Sequence, residues 1–451
     1  MKVAVIGGGG FRTPTLHGSL LRASGEVPID EVVLHDVDAV RLARIRAVIE
    51  GMDRERGGAA LAVRTTTALH DAVEGAGAVL AAIRVGGARA RVIDEEVPLA
   101  VGVLGQETVG PAGIAFALRT IPVMRAVAGT VRDRAPGAWF VNFTNPAGIV
   151  TQTVQDVLGG RAVGICDSPA ALSARVAAAL ARQVDDVTFH HAGLNHLGWL
   201  LAARTDDGRD LLPELLADDR RLSSIDEARL LGPDRIRELG AIPNEYLVYV
   251  ERPAAVTEAF RRNGARGAIV QAQQRAFYED GDATEPGAAL AAWRRARDAR
   301  HATYLAEGWN AAAAGPDAHD AGPSLDEGYA AVAADLLVAA SSGRRRRLVL
   351  DTANAGRLDG IEADEVVEVT CSVSGDTVRP IDGPPLPAEA AELVARVKEV
   401  ERLTLRAERE GSRRLVLEAI AAHPVVPTRE LAERILEGYL ARHDALAERL
   451  R

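Results

Sequence analysis

A chain of 451 residues is longer than one small core can fill, so two or three domains are expected. Hydrophobic residues make up 47% of it and charged residues 26%, the balance of an ordered globular protein, and a formal net charge of −10 argues against general binding to nucleic acid or to an anionic membrane. Only Cys166 and Cys371 are present, which excludes a disulfide scaffold and points to a reducing compartment, so a cytoplasmic location is expected.

The N-terminus runs from Lys2 straight into a strand pattern, without the apolar stretch and cleavage site of a signal peptide. No run is expected to be apolar over the ~20 residues a membrane helix needs. Residues 3–6 read as a short buried strand that breaks into Gly7, Gly8, Gly9 and Gly10, and residues 14–23 as the helix that follows. Next come an apolar run over 31–34 ending in His35 and Asp36, a helix over 41–52, a strand over 77–83, and a strand over 138–142 leading into the turn Thr144-Asn145-Pro146. This alternation predicts an α/β fold with a doubly wound parallel sheet.

Beyond residue 165 the pattern changes. Residues 170–182, 288–306 and 329–341 read as helices, interrupted by strands over 347–352 and 365–373, so residues 166–451 are expected to form a helix-rich α+β domain after a first domain of residues 1–165. Residues 404–422 and 428–450 each read as one helix, packed on the first half or on another subunit. Residues 311–324, rich in Ala, Gly, Pro and Asp, read as a mobile loop. The basic run 344–347 is explained by a solvated helix end.

Glycines directly after a strand let the backbone approach a pyrophosphate, and the next helix turns its N-terminal N–H groups toward the anion. Gly7, Gly8, Gly9 and Gly10 suit that role, although Arg12 stands where the full dinucleotide fingerprint has its last glycine. The alternative is a tight turn without ligand. Asp36, at the end of the next strand, can accept hydrogen bonds from ribose hydroxyls and repel a 2′-phosphate, which favours NAD over NADP. Asp38 competes for that role, and either carboxylate can instead cap the following helix.

Further segments carry a resemblance. They are Arg84-Val-Gly-Gly with Arg91, GQETVGPAGIAFALRTIP, NFTNPAG, the ICDSP segment around Cys166, GLNHLGW around His196, IPNEYLVYV around Tyr246 and NGARG around Arg266. Together and in this order they resemble glycoside hydrolase family 4, from residue 1 to about residue 270, with a weaker likeness through EVTCSV and the C-terminal helices. The likeness is greatest to 6-phospho-β-glucosidases, in RVGGARARVIDEEVPLAVGVLGQETVGPAG.

The resemblance implies a Rossmann-like domain joined to a helix-rich catalytic domain, a requirement for NAD and for Mn²⁺ or another divalent metal, and a homodimer or homotetramer. It also implies hydrolysis of a phosphorylated glucoside without the usual carboxylate pair. Carbon 3 of the sugar would be oxidised, the acidified carbon 2 proton removed, the aglycone eliminated from carbon 1, water added and carbon 3 reduced again. By the same likeness Cys166 and His196 are the metal ligands, against the alternatives of a buried thiol and a core histidine. Tyr246 matches the base, with Tyr249 as its rival, and needs its phenol depressed from about 10 by the metal or a cation, part of which Arg266 could supply. Asp167 stands where many β-type members have Asn; an aspartate there would assist aglycone departure in the phospho-α-glucosidase branch, or cap the next helix. Arg91 and Arg266, with Arg84 and Arg89 behind them, match the phosphate-binding positions. Asn145 and Asn195 are placed to hold sugar hydroxyls. Cys371, in a predicted strand with no motif around it, reads as core. The competing class is an NAD-dependent dehydrogenase.

Overall fold

A computed structural model of the chain describes residues 1–58, 61–279, 285–303 and 325–451; the loop expected over 311–324 therefore lies outside the described residues. Strands β1 (Lys2–Ile6), β2 (Glu31–His35), β3 (Ala62–Thr66), β4 (Ala78–Ala81), β5 (Trp139–Asn142) and β6 (Ala162–Gly164) run parallel in the order β3-β2-β1-β4-β5-β6. The order reverses between β1 and β4, which is the doubly wound arrangement expected. Helices α1 (Thr13–Ala23), α2 (Ala39–Glu55), α3 (Leu69–Val73), α4 (Gly87–Ala100), α5 (Pro111–Arg134) and α6 (Ala147–Leu158) connect these strands. Because both faces of the sheet are covered, Val3, Ala4, Val5, Val79 and Leu80 are all buried, and the strands read as continuous apolar runs rather than alternating ones.

The second half extends the same sheet. Strands β7 (Thr188–Leu194), β8 (Leu197–Arg204), β9 (Ile242–Pro243), β10 (Arg346–Ala353), β11 (Val366–Ser374) and β12 (Thr377–Pro380) follow in sequence, and the order continues from β6 through β10, β11, β7 and β8 to β9, with β12 on the side of β11. All of these pairings are antiparallel, beginning with Asp351 of β10 opposite Gly164 of β6. Helix α7 (Ser168–Ala179) starts just past β6. Cys371 is buried in β11, as expected.

Some expected elements differ. The single helix expected over 404–422 is two, Ala388–Glu410 and Arg413–Ala422, because Gly411 takes φ of 62° and the Ser412 side chain accepts from the Leu415 N–H to start the next helix. The helix expected over 428–450 divides into Arg429–Arg442 and Asp444–Arg449 at His443, whose ring is drawn into the core. Contrary to the expectation of no membrane-length apolar run, α5 has 24 residues and is long and apolar enough to cross a bilayer. Its apolar stretch is 67% buried within the protein, the environment of a core helix.

The C-terminal helices pack on α4 and α5, so they complete the first half. A buried cluster fastens them. Arg119 of α5 donates to both carboxylate oxygens of Asp94 on α4 at 2.7 and 2.5 Å, His443 Nε2 lies 2.9 Å from Asp94 Oδ1, and Tyr439 Oη donates to the Asp94 carbonyl at 2.9 Å. Replacing Arg119 by Met strands the buried Asp94 carboxylate, and losing one member of such a pair costs about 3–5 kcal/mol. Urea unfolding followed by circular dichroism should show that loss for Arg119→Met, and a smaller one when Asp94→Leu is combined with it.

Candidate active site

Residues with chemistry gather where the strands end. Gly7 follows β1 with φ of +88°, and a Cβ there would lie 2.3 Å from the carbonyl oxygen of Ala82 past β4. A Cβ on Gly8 would lie 2.7 Å from Leu34 Cβ and 2.8 Å from Leu34 Cα in β2. Close approach of three chain segments is thus what the glycine run permits. Asp36, one residue past β2, accepts from the Gly9 N–H at 3.1 Å. Asp38 instead caps α2, accepting from the N–H groups of Val40 and Arg41 at 2.9 and 3.0 Å. From the second half, Tyr278 Oη donates to the Gly9 carbonyl at 2.7 Å, with the Arg41 guanidinium 4.0 Å above its ring. Trp293 Nε1 donates to the Phe11 carbonyl at 2.9 Å.

The turn after β5 is held by Asn142, whose carboxamide donates to the Thr144 carbonyl at 3.0 Å and to Thr151 Oγ1 at 3.1 Å while accepting from the Thr144 N–H at 2.8 Å. This presents Asn145 half-buried at the tip. Past β6 come Cys166 and Asp167, both buried, with the thiol 3.8 Å from Asp167 Oδ1 and 3.9 Å from Tyr329 Oη. Asp167 occupies the N-cap position of α7, but its side chain makes no capping hydrogen bond, so the helix-cap alternative does not account for it.

Asn195 and His196 form the tight connection between β7 and β8, His196 in the left-handed region at φ of 61°. Asn195 donates to Glu368 Oε1 of β11 at 3.0 Å. The His196 ring stacks on Tyr246, with centroids 3.8 Å apart and planes 10° from parallel. Its Nδ1 is 2.8 Å from Thr108 Oγ1, and the Thr108 hydroxyl donates onward to Gln106 Oε1 at 3.0 Å. That chain of donors places the imidazole proton on Nδ1 and leaves Nε2 with a lone pair. Tyr246 follows β9 and is part-exposed, whereas Tyr249 is fully buried in the core, so only the first of the two rivals faces the site.

The electrostatics are acidic. Burial pushes the Cys166 thiol well up, and Glu368 and Asp167 push it further. Tyr246 is likewise pushed well up by burial and then by Glu245, Cys166, Asp167 and Glu107. The field that reaches Tyr246 is therefore opposite in sign to the one expected from Arg266. That guanidinium donates instead to Thr303 Oγ1 at 2.7 Å and to the carbonyls of Thr303 and Arg300. Burial lowers His196 to about 4, which makes its ring neutral at pH 7.

The other expected arginines separate. Arg84 and Arg91 converge on Glu107 at 2.7 and 2.9 Å, and Arg91 also pairs with Glu95 at 2.7 Å. Although burial opposes its ionisation, Arg91, Arg84 and Arg300 hold the Glu107 carboxyl well below the usual carboxylate range. Arg89 points elsewhere, into a cleft of 390 Å³ that it shares with Gln271, Arg442 and Asp444. Sequence reasoning did not single out Thr108, Glu107, Ser168 or Glu245, though all four lie inside the quoted segments. Glu368 opens the weaker EVTCSV segment, whereas Tyr278 and Tyr329 carry no local motif and only the fold brings them in.

The family model described as "Family 4 glycosyl hydrolase" matches residues 2–182, and that for the "Family 4 glycosyl hydrolase C-terminal domain" matches residues 191–426. The chain is a family 4 glycosyl hydrolase. A probable 6-phospho-beta-glucosidase of Bacillus subtilis is 29% identical to it over 456 residues, covering 99% of this chain and 97% of the relative. The 6-phospho-alpha-glucosidase 1 of Lacticaseibacillus paracasei is 28% identical, covering 97% and 96%. Among solved structures, the 6-phospho-beta glucosidase from Thermotoga maritima with manganese, NAD+ and glucose-6-phosphate superposes with a TM-score of 0.81 at 26% identity, covering 99% of each chain.

In this family 4 glycosyl hydrolase the glycine turn leaves no space for a side chain at position 8. Gly8→Ala should destabilise the fold by about 1–3 kcal/mol, the usual cost of overpacking a close contact. Chemical denaturation of the variant beside the natural protein measures this directly.

Proposed function

We propose that this glycosidase hydrolyses a 6-phospho-β-glucoside to glucose 6-phosphate and the aglycone, by transient oxidation at carbon 3, elimination across carbons 1 and 2, addition of water and re-reduction. The observation that carries the reading is the stack of Tyr246 on His196, at the strand ends that also bear Cys166, Asp167 and the glycine turn. The Bacillus and Thermotoga relatives support both the phosphorylated substrate and the β anomer.

The enzyme uses NAD and a divalent metal, for which Mn²⁺ in the Thermotoga structure is the precedent. The residues fit both. The glycine turn presents backbone without side chains between β1 and α1 beside Asp36, and the Cys166–His196 pair offers a thiol and a neutral imidazole with a lone pair, donors suited to a first-row ion. When bound, the nucleotide withdraws two electrons from carbon 3 and returns them, while the metal acts as a Lewis acid on the neighbouring sugar oxygens. Gly7, Gly8, Gly9 and Gly10 would line the pyrophosphate, and Asp36 would accept from the ribose hydroxyls. Tyr246 takes the proton from carbon 2. Its acidic surroundings hold the phenol protonated, and a cation held by Cys166 and His196 would make its ionisation easier.

Asp167 delivers a proton to the departing aglycone oxygen. Arg91 takes the substrate phosphate, with Arg266 beside it, whose guanidinium would exchange the carbonyls of Thr303 and Arg300 for phosphate oxygens, and Asn145 and Asn195 hold sugar hydroxyls; the Asn145 carboxamide makes no hydrogen bond to any described residue and is open to such a partner. In this division residues 1–165 hold the nucleotide and residues 166–451 supply metal and substrate groups. Family membership supports assembly as a homodimer or homotetramer, which sedimentation would read. Two unpaired cysteines support the cytoplasm as the location.

Asp167 favours a second reading, a phospho-α-glucosidase, in which the same carboxyl serves the other anomer. Chromogenic α- and β-glucosides, each with and without a 6-phosphate, separate the two when assayed with Mn²⁺ and reductant. With NAD⁺ limiting, many aglycones should be released per NAD⁺ and no NADH should build up; NADH accumulating in step with product would overturn the glycosidase mechanism.

Because the Cys166 thiol must lose its proton to bind metal, and its pKa lies well above neutrality, Mn²⁺ affinity should rise with pH. One proton released per ion corresponds to about tenfold tighter binding per pH unit. Calorimetric titration at a series of pH values should show this slope, and Cys166→Ser should flatten it. An unchanged slope in that variant would remove Cys166 from the ligand set.

A further inference from the structure

Ser168 Oγ donates to Glu245 Oε1 at 2.7 Å across 77 residues of sequence, and both side chains are buried, 1% and 3% exposed. Ser168 opens α7 directly after Asp167, and Glu245 directly precedes Tyr246. The bond therefore joins the strand end that carries the proposed acid and metal thiol to the one that carries the proposed base. A second tie runs beside it: Arg175 of α7 donates to Glu227 Oε2 at 3.2 Å, and Glu227 lies in the helix Asp226–Leu231, which packs on both β9 and the helix Leu247–Glu251 that follows Tyr246.

The carboxyl is a costly choice at position 245. Burial and the nearby Glu227 push it up to about 7, and its own charge makes the adjacent phenol harder to ionise. A leucine would carry neither cost. What the carboxyl adds is a short, directional bond that an apolar side chain cannot make.

We propose that Glu245 and Ser168 are positioning residues, whose bond fixes the separation at which Tyr246 and Asp167 address one sugar ring. This rests on the reaction proposed above for the roles of Tyr246, Asp167 and Cys166. The bond acts through the two backbone turns it joins, and neither residue needs to touch the substrate.

The test uses the full-length enzyme with NAD⁺ and Mn²⁺ and the variants Ser168→Ala, Glu245→Gln, Glu245→Ala and the Ser168→Ala/Glu245→Ala pair. Loss of the bond should lower kcat about 10- to 100-fold, the range for residues that orient active-site groups, while KM changes little. The pair should be no slower than the slower single variant, because both remove the same bond. Glu245→Gln keeps an acceptor oxygen for the Ser168 hydroxyl, so its kcat should stay near the natural value. Wild-type kcat in Ser168→Ala, multiplying losses in the pair, or a Glu245→Gln as slow as Glu245→Ala would each overturn the proposal. If the alanine variants unfold, as thermal melts would show, the kcat of Glu245→Gln decides alone: a value near the natural one upholds the bond, and a loss of about tenfold or more overturns it.

A natural enzyme that turns over no phosphoglucoside would defeat the proposed function instead. The bond is then read from Mn²⁺ affinity, which Ser168→Ala should weaken about tenfold by releasing the Cys166 turn, and an unchanged affinity would end the proposal.

Discussion

The arrangement of the site depends on β6 having two different neighbours. On one side it pairs parallel with β5, and on the other it meets β10 antiparallel at the single register point Gly164↔Asp351. A side chain at 164 would collide with Thr151 Oγ1 at 2.3 Å and Asp351 Oδ2 at 2.6 Å, so a glycine is what lets the parallel half and the antiparallel half share one sheet. Two residues later the chain delivers Cys166 to the seam. The glycine turn, the Asn145 turn and the Asn195–His196 connection are then brought to it by backbone pairing, which is stiffer than any loop could be.

Around that seam the charges are unevenly divided. Asp167, Glu245, Glu368 and Asp351 lie toward the antiparallel side; burial and then Glu401 push Asp351 up to about 8, while burial and then Asp351, Glu245 and Asp167 push Glu368 well above its ordinary value. Arg84 and Arg91 lie toward the parallel side and meet in Glu107. A thiol and a phenol placed among carboxyls keep their protons until positive charge arrives, and the guanidinium groups lie on the other side of the seam.

The parallel half was legible in the sequence because its strands are short apolar runs bounded by glycine or a turn, as in residues 3–6 before Gly7 and 138–142 before Thr144. Strand β3 was not, since Ala62–Thr66 at the sheet edge is exposed or half-buried and lacks an apolar run. The C-terminal breaks at Gly411 and His443 escaped for another reason: helical periodicity continues across them, and only a left-handed glycine or a buried hydrogen bond to Asp94 interrupts it. The family segments led to Cys166, His196 and Tyr246, yet the partners of those residues are distant in sequence. Thr108 on His196 and Glu368 on Asn195 are contacts of tertiary pairing, and no spacing rule could have announced them. Arg266 shows the converse, a motif residue whose guanidinium the fold turns toward backbone carbonyls.

The hydrogen bonds from Tyr278 to Gly9 and from Trp293 to Phe11 give the glycine turn a second set of owners. Its carbonyls are held by helices that enter the chain more than 250 residues later, and α4 and α5 would expose their apolar faces without the C-terminal helices. The first half is accordingly not a cassette that could be cut out and grafted onto another protein. Its shape is a property of the finished polypeptide.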